Sequence, residues 1–216
     1  DGDVLRQHVP RLVARVDAER VERGLLEARG ERVGHGVADE DDPLGHVRIL
    51  SSSAGKRGSE TAALEEPSIV VRPGKPNKAA SGFFSGIIRE PLAGQEAILP
   101  VADTIMHTHA SPRSAVGFLI HAAGLDRKKL GDRINLNMPG VTCTVAEQIE
   151  SLKRIAGEKV AARIRRQPDA LITRIVDGWP HRFDPQRAIE LGFRVEKDFD
   201  EIIRTHIEED LGGKIA

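Results

Sequence analysis

The sequence predicts an α/β fold for residues 67–216, and two observations support this prediction. Short apolar runs rich in β-branched residues alternate in this part with longer runs of helical spacing. Most of the helical runs begin at a capping residue and end at a glycine, so the local signals agree with one another. Residues 1–66 show neither property. The chain is therefore expected to consist of an atypical charged segment, 1–66, and a folded unit, 67–216.

Residues 1–66 contain no aromatic side chain and few large aliphatic ones. Such a segment can bury little apolar area to offset the entropy lost on ordering. It is expected either to be disordered or to form one amphipathic helix over residues 9–26, with solvated loops at 39–42 and 51–55.

Two short glycine motifs in this segment are reminiscent of phosphate-binding loops. The run GHG at 34–36 follows no predicted strand and lacks the third glycine of a dinucleotide fingerprint. The run SAGK at 53–56 lacks the earlier glycine and the following hydroxyl residue of a P-loop. Both are interpreted as ordinary loop glycines.

From residue 67 onwards, capping residues, glycines and prolines mark the ends of the predicted helices and strands. Strands are expected over 69–71, 97–101, 105–109, 134–138 and 160–164. Helices are expected over 81–91, 111–124, 144–157, 170–176, 184–192 and 198–211. In the helix over 111–124 the residues expected to be buried are Ala115, Val116, Leu119, Ile120 and Ala123.

The overall composition excludes several classes of protein. The net charge of −1 offers no basic footprint for nucleic acid. No apolar run approaches the roughly 20 residues of a membrane span, and no signal peptide is recognised. The single cysteine, Cys143, excludes an internal disulfide and fits a reducing cytoplasm.

Three runs of sequence carry a resemblance to a known family. They are DPQRAIELGF followed by FDEII at 184–203, IVVRPGKPNKAASGFF at 69–84, and HTHASPRSAV at 107–116. Residues 67–216 resemble the C-terminal portion of a Rossmann-type extended short-chain dehydrogenase/reductase, in the NAD-dependent epimerase/dehydratase superfamily. The resemblance is greatest to its D-erythronate dehydrogenase branch, and it does not extend to residues 1–66.

The resemblance implies NAD as cofactor and oxidation of a hydroxyl group of a small sugar acid. In that family, a glycine-rich turn binds NAD and a Tyr-x-x-x-Lys pair transfers the proton. This sequence contains no tyrosine and no glycine fingerprint, so no catalytic residue is predicted. The alternative is a truncated, non-catalytic remnant, at most a binding or interaction module, whose exposed apolar face could cause self-association or aggregation.

By the resemblance, Pro67 and Ile69 contact the cofactor and Ser68 contacts the substrate, and a plain core strand end is the alternative. Arg72, together with Lys75 and Asn77, forms a polar cluster suited to a carboxylate, and a solvated loop is the alternative.

Two histidines and an arginine complete the predicted substrate site. His107 and His109 alternate onto one face of a strand. Without a third ligand they make a weak metal site, so substrate contacts are predicted and no metal. Arg113 lies in the first turn of its helix, where its charge opposes the helix dipole. It is predicted to face the substrate, with a surface arginine as the alternative. Trp179 is expected in the core, and Cys143 needs no reactive role.

Overall fold

A computed structural model describes residues 14–16, 48–52, 61–75 and 79–216. Within these ranges the chain forms nine strands and seven α-helices, which confirms the α/β class. The strands are β1 (Ala14–Val16), β2 (Arg48–Ser52), β3 (Thr61–Glu65), β4 (Ser68–Ile69), β5 (Ala97–Leu99), β6 (Met106–Ala110), β7 (Asn135–Asn137), β8 (Val141–Thr144) and β9 (Ile164–Arg166). The helices are α1 (Gly82–Leu92), α2 (Pro112–Ala123), α3 (Val145–Ala156), α4 (Glu158–Ala161), α5 (Ala170–Asp177), α6 (Gln186–Glu190) and α7 (Phe199–Glu209), with a 3-10 helix at Arg127–Leu130.

The described strands form three sheets. The first has the order β1-β2-β3-β7, in which only the β2–β3 pair is antiparallel. The second has the order β4-β6-β8, with β4 parallel to β6 and β8 antiparallel to it. The third is the parallel pair β5-β9. Consecutive strands β3 and β4 belong to different sheets, and Pro67 lies between them, where it cannot donate a ladder hydrogen bond.

Two apolar cores lie on opposite faces of the β4-β6-β8 sheet. The first core contains Phe84 of α1, Leu152 of α3 and Ile202 of α7, all fully buried. The second contains Phe118 of α2 and Phe193. Burial of one such side chain stabilises the fold by about 1.5–3 kcal/mol. The sheet that carries the predicted site residues is therefore held from both sides.

Helix starts lie where the capping signals predict them. The Ser111 side chain accepts a hydrogen bond from the Ser114 N–H at the start of α2. Thr144 and Glu147 form a complete capping box at α3. Asp198 accepts a hydrogen bond from the N–H of residue 201 at α7. These caps satisfy amide donors that the first turn of a helix leaves unpaired. The predicted capping interactions at all three helices are confirmed.

The predicted buried face of α2 is wrong at two of its five residues, while Ala115, Leu119 and Ala123 are partly buried and Leu119 packs against the second core. Val116 and Ile120 are 39% and 43% exposed, whereas Phe118 and Ala122 are 1% and 5% exposed. Apolar residues surround much of this helix, so spacing alone does not select one face. The helix packs its largest side chain, Phe118, into the second core. The predicted self-association through an exposed apolar face was not assigned to this helix and stays a prediction.

The strand predicted over 160–164 is also wrong. Gly157, with a φ of 90°, ends α3, and one further helical turn, α4, follows at once. The strand β9 begins only at Ile164, where pairing with β5 becomes available. Trp179 lies in the first core, as predicted.

Predictions for residues 1–66 are tested only where the structure describes the chain. Residues 14–16 form β1, paired in parallel with β2, so the predicted helix is wrong at these positions. Ser51 and Ser52 belong to β2, not to a loop. In both places, backbone hydrogen bonds with a neighbouring strand determine the secondary structure, and the local composition does not reveal such pairing. The rest of the predicted helix, the loop at 39–42 and both glycine motifs lie outside the described residues.

Among the helices that the structure describes, none has the length and apolar character needed to cross a membrane.

Candidate functional site

The carboxyl ends of the parallel strands β4 and β6 lie side by side. Ser68 is paired with His109, and Ile69 with Ala110. A hydrogen bond of 2.8 Å joins the Ser68 Oγ atom to the Nε2 atom of His107. Ser68 is half-buried and His107 is buried. Ligands of α/β proteins bind at the carboxyl edge of parallel strands, so this edge is the candidate site.

The two histidines share one face of β6, as predicted, and lie in an aromatic environment. Their ring centroids are 5.4 Å apart. Phe84 stacks on His107 at 5.4 Å, and the Trp179 ring lies 5.5 Å from it. Phe199 meets His109 edge-on at 5.7 Å. Within the described ranges, no three His, Cys, Asp or Glu residues are grouped so that they could hold a metal.

His109 is fully buried and is held in its neutral form. The Gln148 Nε2 atom lies 2.8 Å from the His109 Nε2 atom, and an amide nitrogen can only donate. With the amide in this orientation the His109 Nε2 atom is the acceptor, and the His109 Nδ1 atom has no hydrogen-bond partner among the described residues. Burial, and then the neighbouring His107, holds the pKa of His109 well below its usual value.

Gln148 was not singled out from the sequence, although a signal existed. It follows Val145 by three residues and precedes Ile149 in the buried stripe of α3. A polar residue at such a position requires a buried partner.

Two further buried groups have shifted pKa values. Burial raises the pKa of the Cys143 thiol to about 12, with a smaller contribution from the charge of Glu147. Cys143 is thus protonated at neutral pH and unsuited to act as a nucleophile. Burial also raises the pKa of Glu66 to about 7, and its Oε1 atom has no hydrogen-bond partner in the part of the chain that the structure describes.

The loop after β4 is attached to α1 at Arg72. The Arg72 N–H donates to the Ser85 Oγ atom over 3.2 Å, and the Arg89 Nη1 atom donates to the Arg72 carbonyl oxygen over 2.7 Å. The Arg89 Nη2 atom also forms an ion pair of 2.6 Å with Glu90. Lys75 is exposed. Asn77 lies outside the described residues, so its predicted substrate contact stays a prediction.

Arg113 lies on the surface at the first turn of α2. Its Nε atom donates to the Glu209 Oε1 atom over 2.8 Å, and Glu208 lies 3.9 Å away. The positive charge of Arg113 is unfavourable at the N-terminus of a helix, and these carboxylates at the end of α7 compensate for it. The substrate contact predicted for Arg113 stays a prediction.

A buried carboxylate, Glu196, connects the start of α2 to the C-terminal part of the chain. Its Oε2 atom accepts from the Ser111 N–H over 3.3 Å, and its Oε1 atom accepts from the Ser114 hydroxyl over 2.8 Å. The Ser111 hydroxyl also donates to the Oε1 atom. No local pattern signals this contact, because Glu196 lies more than 80 residues from both serines.

The residues predicted to contact the cofactor lie in tightly packed surroundings. A Cβ atom built at Gly140 would lie 3.1 Å from the Pro67 Cβ atom. Ile69 packs against the second core. Neither residue offers a free polar side chain, and pyrophosphate requires N–H donors at a glycine-rich turn. The contacts with the cofactor expected for Pro67 and Ile69 stay a prediction.

Two surface cavities lie away from these residues. One of about 550 Å³ lies between β7 and α6 and is lined by polar groups that include Arg133, Asn137 and Asp184. The other, of about 330 Å³, lies beside α3 and α4. Neither is lined by a predicted site residue.

Comparisons with known proteins confirm the resemblance stated from the sequence. The chain is 44% identical over 162 residues to the D-erythronate dehydrogenase of Cupriavidus necator H16, a match that covers 74% of this chain and 50% of that protein. It is 40% identical over 145 residues to the D-erythronate dehydrogenase of Haemophilus influenzae Rd, covering 67% of this chain and 46% of that protein. No family model matches.

A solved structure supports the fold. The nucleoside-diphosphate-sugar epimerase from Agrobacterium tumefaciens superposes with a TM-score of 0.69 and 59% sequence identity. The match covers 71% of this chain and 45% of the epimerase. The α/β fold thus resembles that of Rossmann-type epimerases and dehydrogenases. The chain spans about half the length of the curated relatives it matches.

Proposed function

We propose that this protein takes part in the NAD-dependent oxidation of a hydroxyl group of a small sugar acid such as D-erythronate, and that residues 67–216 form the substrate side of the site. The observation that carries the proposal is the 44% identity to a D-erythronate dehydrogenase over 162 residues. The cytoplasm is the proposed compartment, because the single cysteine fits a reducing environment.

The edge formed by β4 and β6 supplies the groups that such a substrate requires. A sugar acid presents several hydroxyl groups, and the Ser68–His107 pair can both donate to and accept from them. The substrate also carries one carboxylate, for which a guanidinium such as that of Arg72 is the matching group. NAD, when bound, accepts the hydride. The described residues contribute binding and orientation of the substrate.

A second candidate function is a binding module without turnover. It is favoured by the composition, because the 216 residues contain no tyrosine to act as the general base of the family mechanism.

One experiment separates the two candidates. The purified chain is mixed with NAD and D-erythronate, NADH is followed by its absorbance, and NAD binding is measured by calorimetry. The dehydrogenase proposal predicts NADH formation that depends on D-erythronate and saturable binding of NAD. Absence of both results contradicts it and leaves the binding module.

A matched pair of variants tests the substrate edge. Ser68→Ala removes the hydroxyl that is bonded to His107, whereas Ser81→Ala removes one that makes no capping hydrogen bond at α1. Weaker binding of D-erythronate is expected for Ser68→Ala and not for Ser81→Ala. Equal affinity in the two variants would exclude Ser68 from the site.

A further inference from the structure

Arg72 carries a charge that no described residue neutralises. Its guanidinium is half-buried and makes no hydrogen bond or ion pair with any residue in the ranges that the structure describes. Its backbone, by contrast, is fixed at both polar groups, by Ser85 and by Arg89. A half-buried cation without a counter-ion is unfavourable unless a ligand supplies the negative charge.

Arg89 adds a second positive charge at the same place. Its side chain is only 12% exposed, and its charge, after burial itself, lowers the pKa of Arg72. Among the described residues, Glu90 is paired with Arg89 and not with Arg72, and no hydrogen-bond partner is found there for its buried second oxygen, Oε2. The Oε2 atom lies over Gly86, 3.4 Å from the position of a Cβ atom there. Within the described residues, Glu90 thus balances the charge of Arg89 and makes no ion pair with Arg72.

The pair lies where a ligand is expected in this fold. Arg72 follows the carboxyl end of β4 by three residues, and Lys75 in the same loop adds an exposed positive charge. The hydrogen bond from Arg89 to the Arg72 carbonyl oxygen brings α1 to this edge of the sheet. Sequence spacing does not reveal Arg89 as a site residue, because it lies 17 positions from Arg72.

We propose that Arg72 and Arg89 together form an anion site that binds the carboxylate of the substrate, with Arg72 as the direct ligand and Arg89 as the residue that positions it. The proposal rests on the proposed function for the choice of a sugar acid. A guanidinium binds a carboxylate through two parallel N–H···O bonds, which fixes one end of the substrate. Arg89 positions the Arg72 backbone, and because Glu90 balances the charge of Arg89, the net positive charge of the site is that of Arg72.

Calorimetric binding of D-erythronate to the whole chain tests the site, with erythritol, the matching neutral polyol, as the uncharged probe. We expect saturable binding of the acid, much weaker binding of the polyol, and a roughly ten- to hundredfold loss of acid affinity in Arg72→Ala, the range of a charged hydrogen bond. Arg72→Lys keeps the charge but loses the two-bond geometry, so it should recover only part of the affinity.

Arg89→Lys and Arg174→Ala complete the set. Arg89→Lys keeps the charge but weakens the contact with the Arg72 carbonyl, so affinity should fall by a smaller factor than in Arg72→Ala. Arg174, exposed on α5, is the control, and its removal should leave affinity unchanged. Thermal denaturation separates an effect on binding from an effect on folding. Without ligand, Arg72→Ala should have a melting temperature no lower than that of the wild type. D-erythronate should raise the melting temperature of the wild type and not that of Arg72→Ala.

The possible results are distinct. Equal binding of the acid and the polyol, unchanged affinity in Arg72→Ala, or no binding of the acid to the wild type would each overturn the site. Tighter binding of inorganic phosphate than of D-erythronate would overturn its assignment to a carboxylate. Acid binding that depends on Arg72, without any NADH formation, would support the site while contradicting the proposed dehydrogenase activity.

Discussion

The turn between β7 and β8 contains a glycine whose replacement by alanine should be costly. A Cβ atom at Gly140 would lie 2.6 Å from the Thr108 Cγ2 atom, 2.9 Å from the His109 carbonyl oxygen and 3.1 Å from the Pro67 Cβ atom. The carbonyl belongs to the backbone of β6 and cannot move alone. Thr108 is held by a hydrogen bond of 2.8 Å to Thr142, so its methyl group cannot rotate away freely.

Overpacking of a well-packed site costs about 1–3 kcal/mol, and two contacts under 3 Å place Gly140→Ala in the upper part of that range, about 2–3 kcal/mol. At about 2–4 °C per kcal/mol, the melting temperature should fall by roughly 4–12 °C. Because the displaced strand carries His107, the hydrogen bond to Ser68 should weaken as well.

Thermal denaturation followed by circular dichroism measures the effect, with Gly117→Ala as the matched control. Gly117 is exposed within α2, and a Cβ atom there meets nothing within 4 Å. That variant should be more stable by about 0.5–1 kcal/mol, since alanine restricts the unfolded chain more than glycine. A Gly140→Ala protein as stable as the wild type would refute the reasoning about this contact.

Three further predictions concern buried titratable side chains and are measured by urea unfolding. Glu196→Ala should cost about 2–3 kcal/mol, because Ser111 and Ser114 lose a charged acceptor, while Glu196→Gln should cost less. Equal losses would contradict this. Burial raises the pKa of Glu66 from 4.5 to about 7, so the free energy of unfolding should fall as the pH rises through this window. Glu66→Gln should abolish this pH dependence and should be more stable than the wild type at pH 8 by up to roughly 3 kcal/mol. The pKa of His109 in the folded state lies below its unfolded value of 6.5, so the free energy of unfolding should fall as the pH drops below 6.5. A His109→Gln variant with the same pH dependence as the wild type would contradict the assignment of this effect to His109.

The candidate site at the edge formed by β4 and β6 could be predicted only in part from the sequence. The alternation of His107 and His109 on one face follows from the period of a strand, and the structure confirms it. The partners of these residues could not be deduced in the same way. Ser68 and Gln148 each lie 39 residues from the histidine they contact, and no periodicity links such positions.

The sequence by itself determined the α/β class, the helix caps and the resemblance to D-erythronate dehydrogenases. Helix caps depend on groups three or four residues apart, such as Thr144 and Glu147, so the local sequence is sufficient to predict them. The tertiary structure alone decided which face of α2 is buried and that Arg89 lies beside Arg72. Burial and charge compensation depend on which distant elements pack together, and that packing is a property of the whole chain.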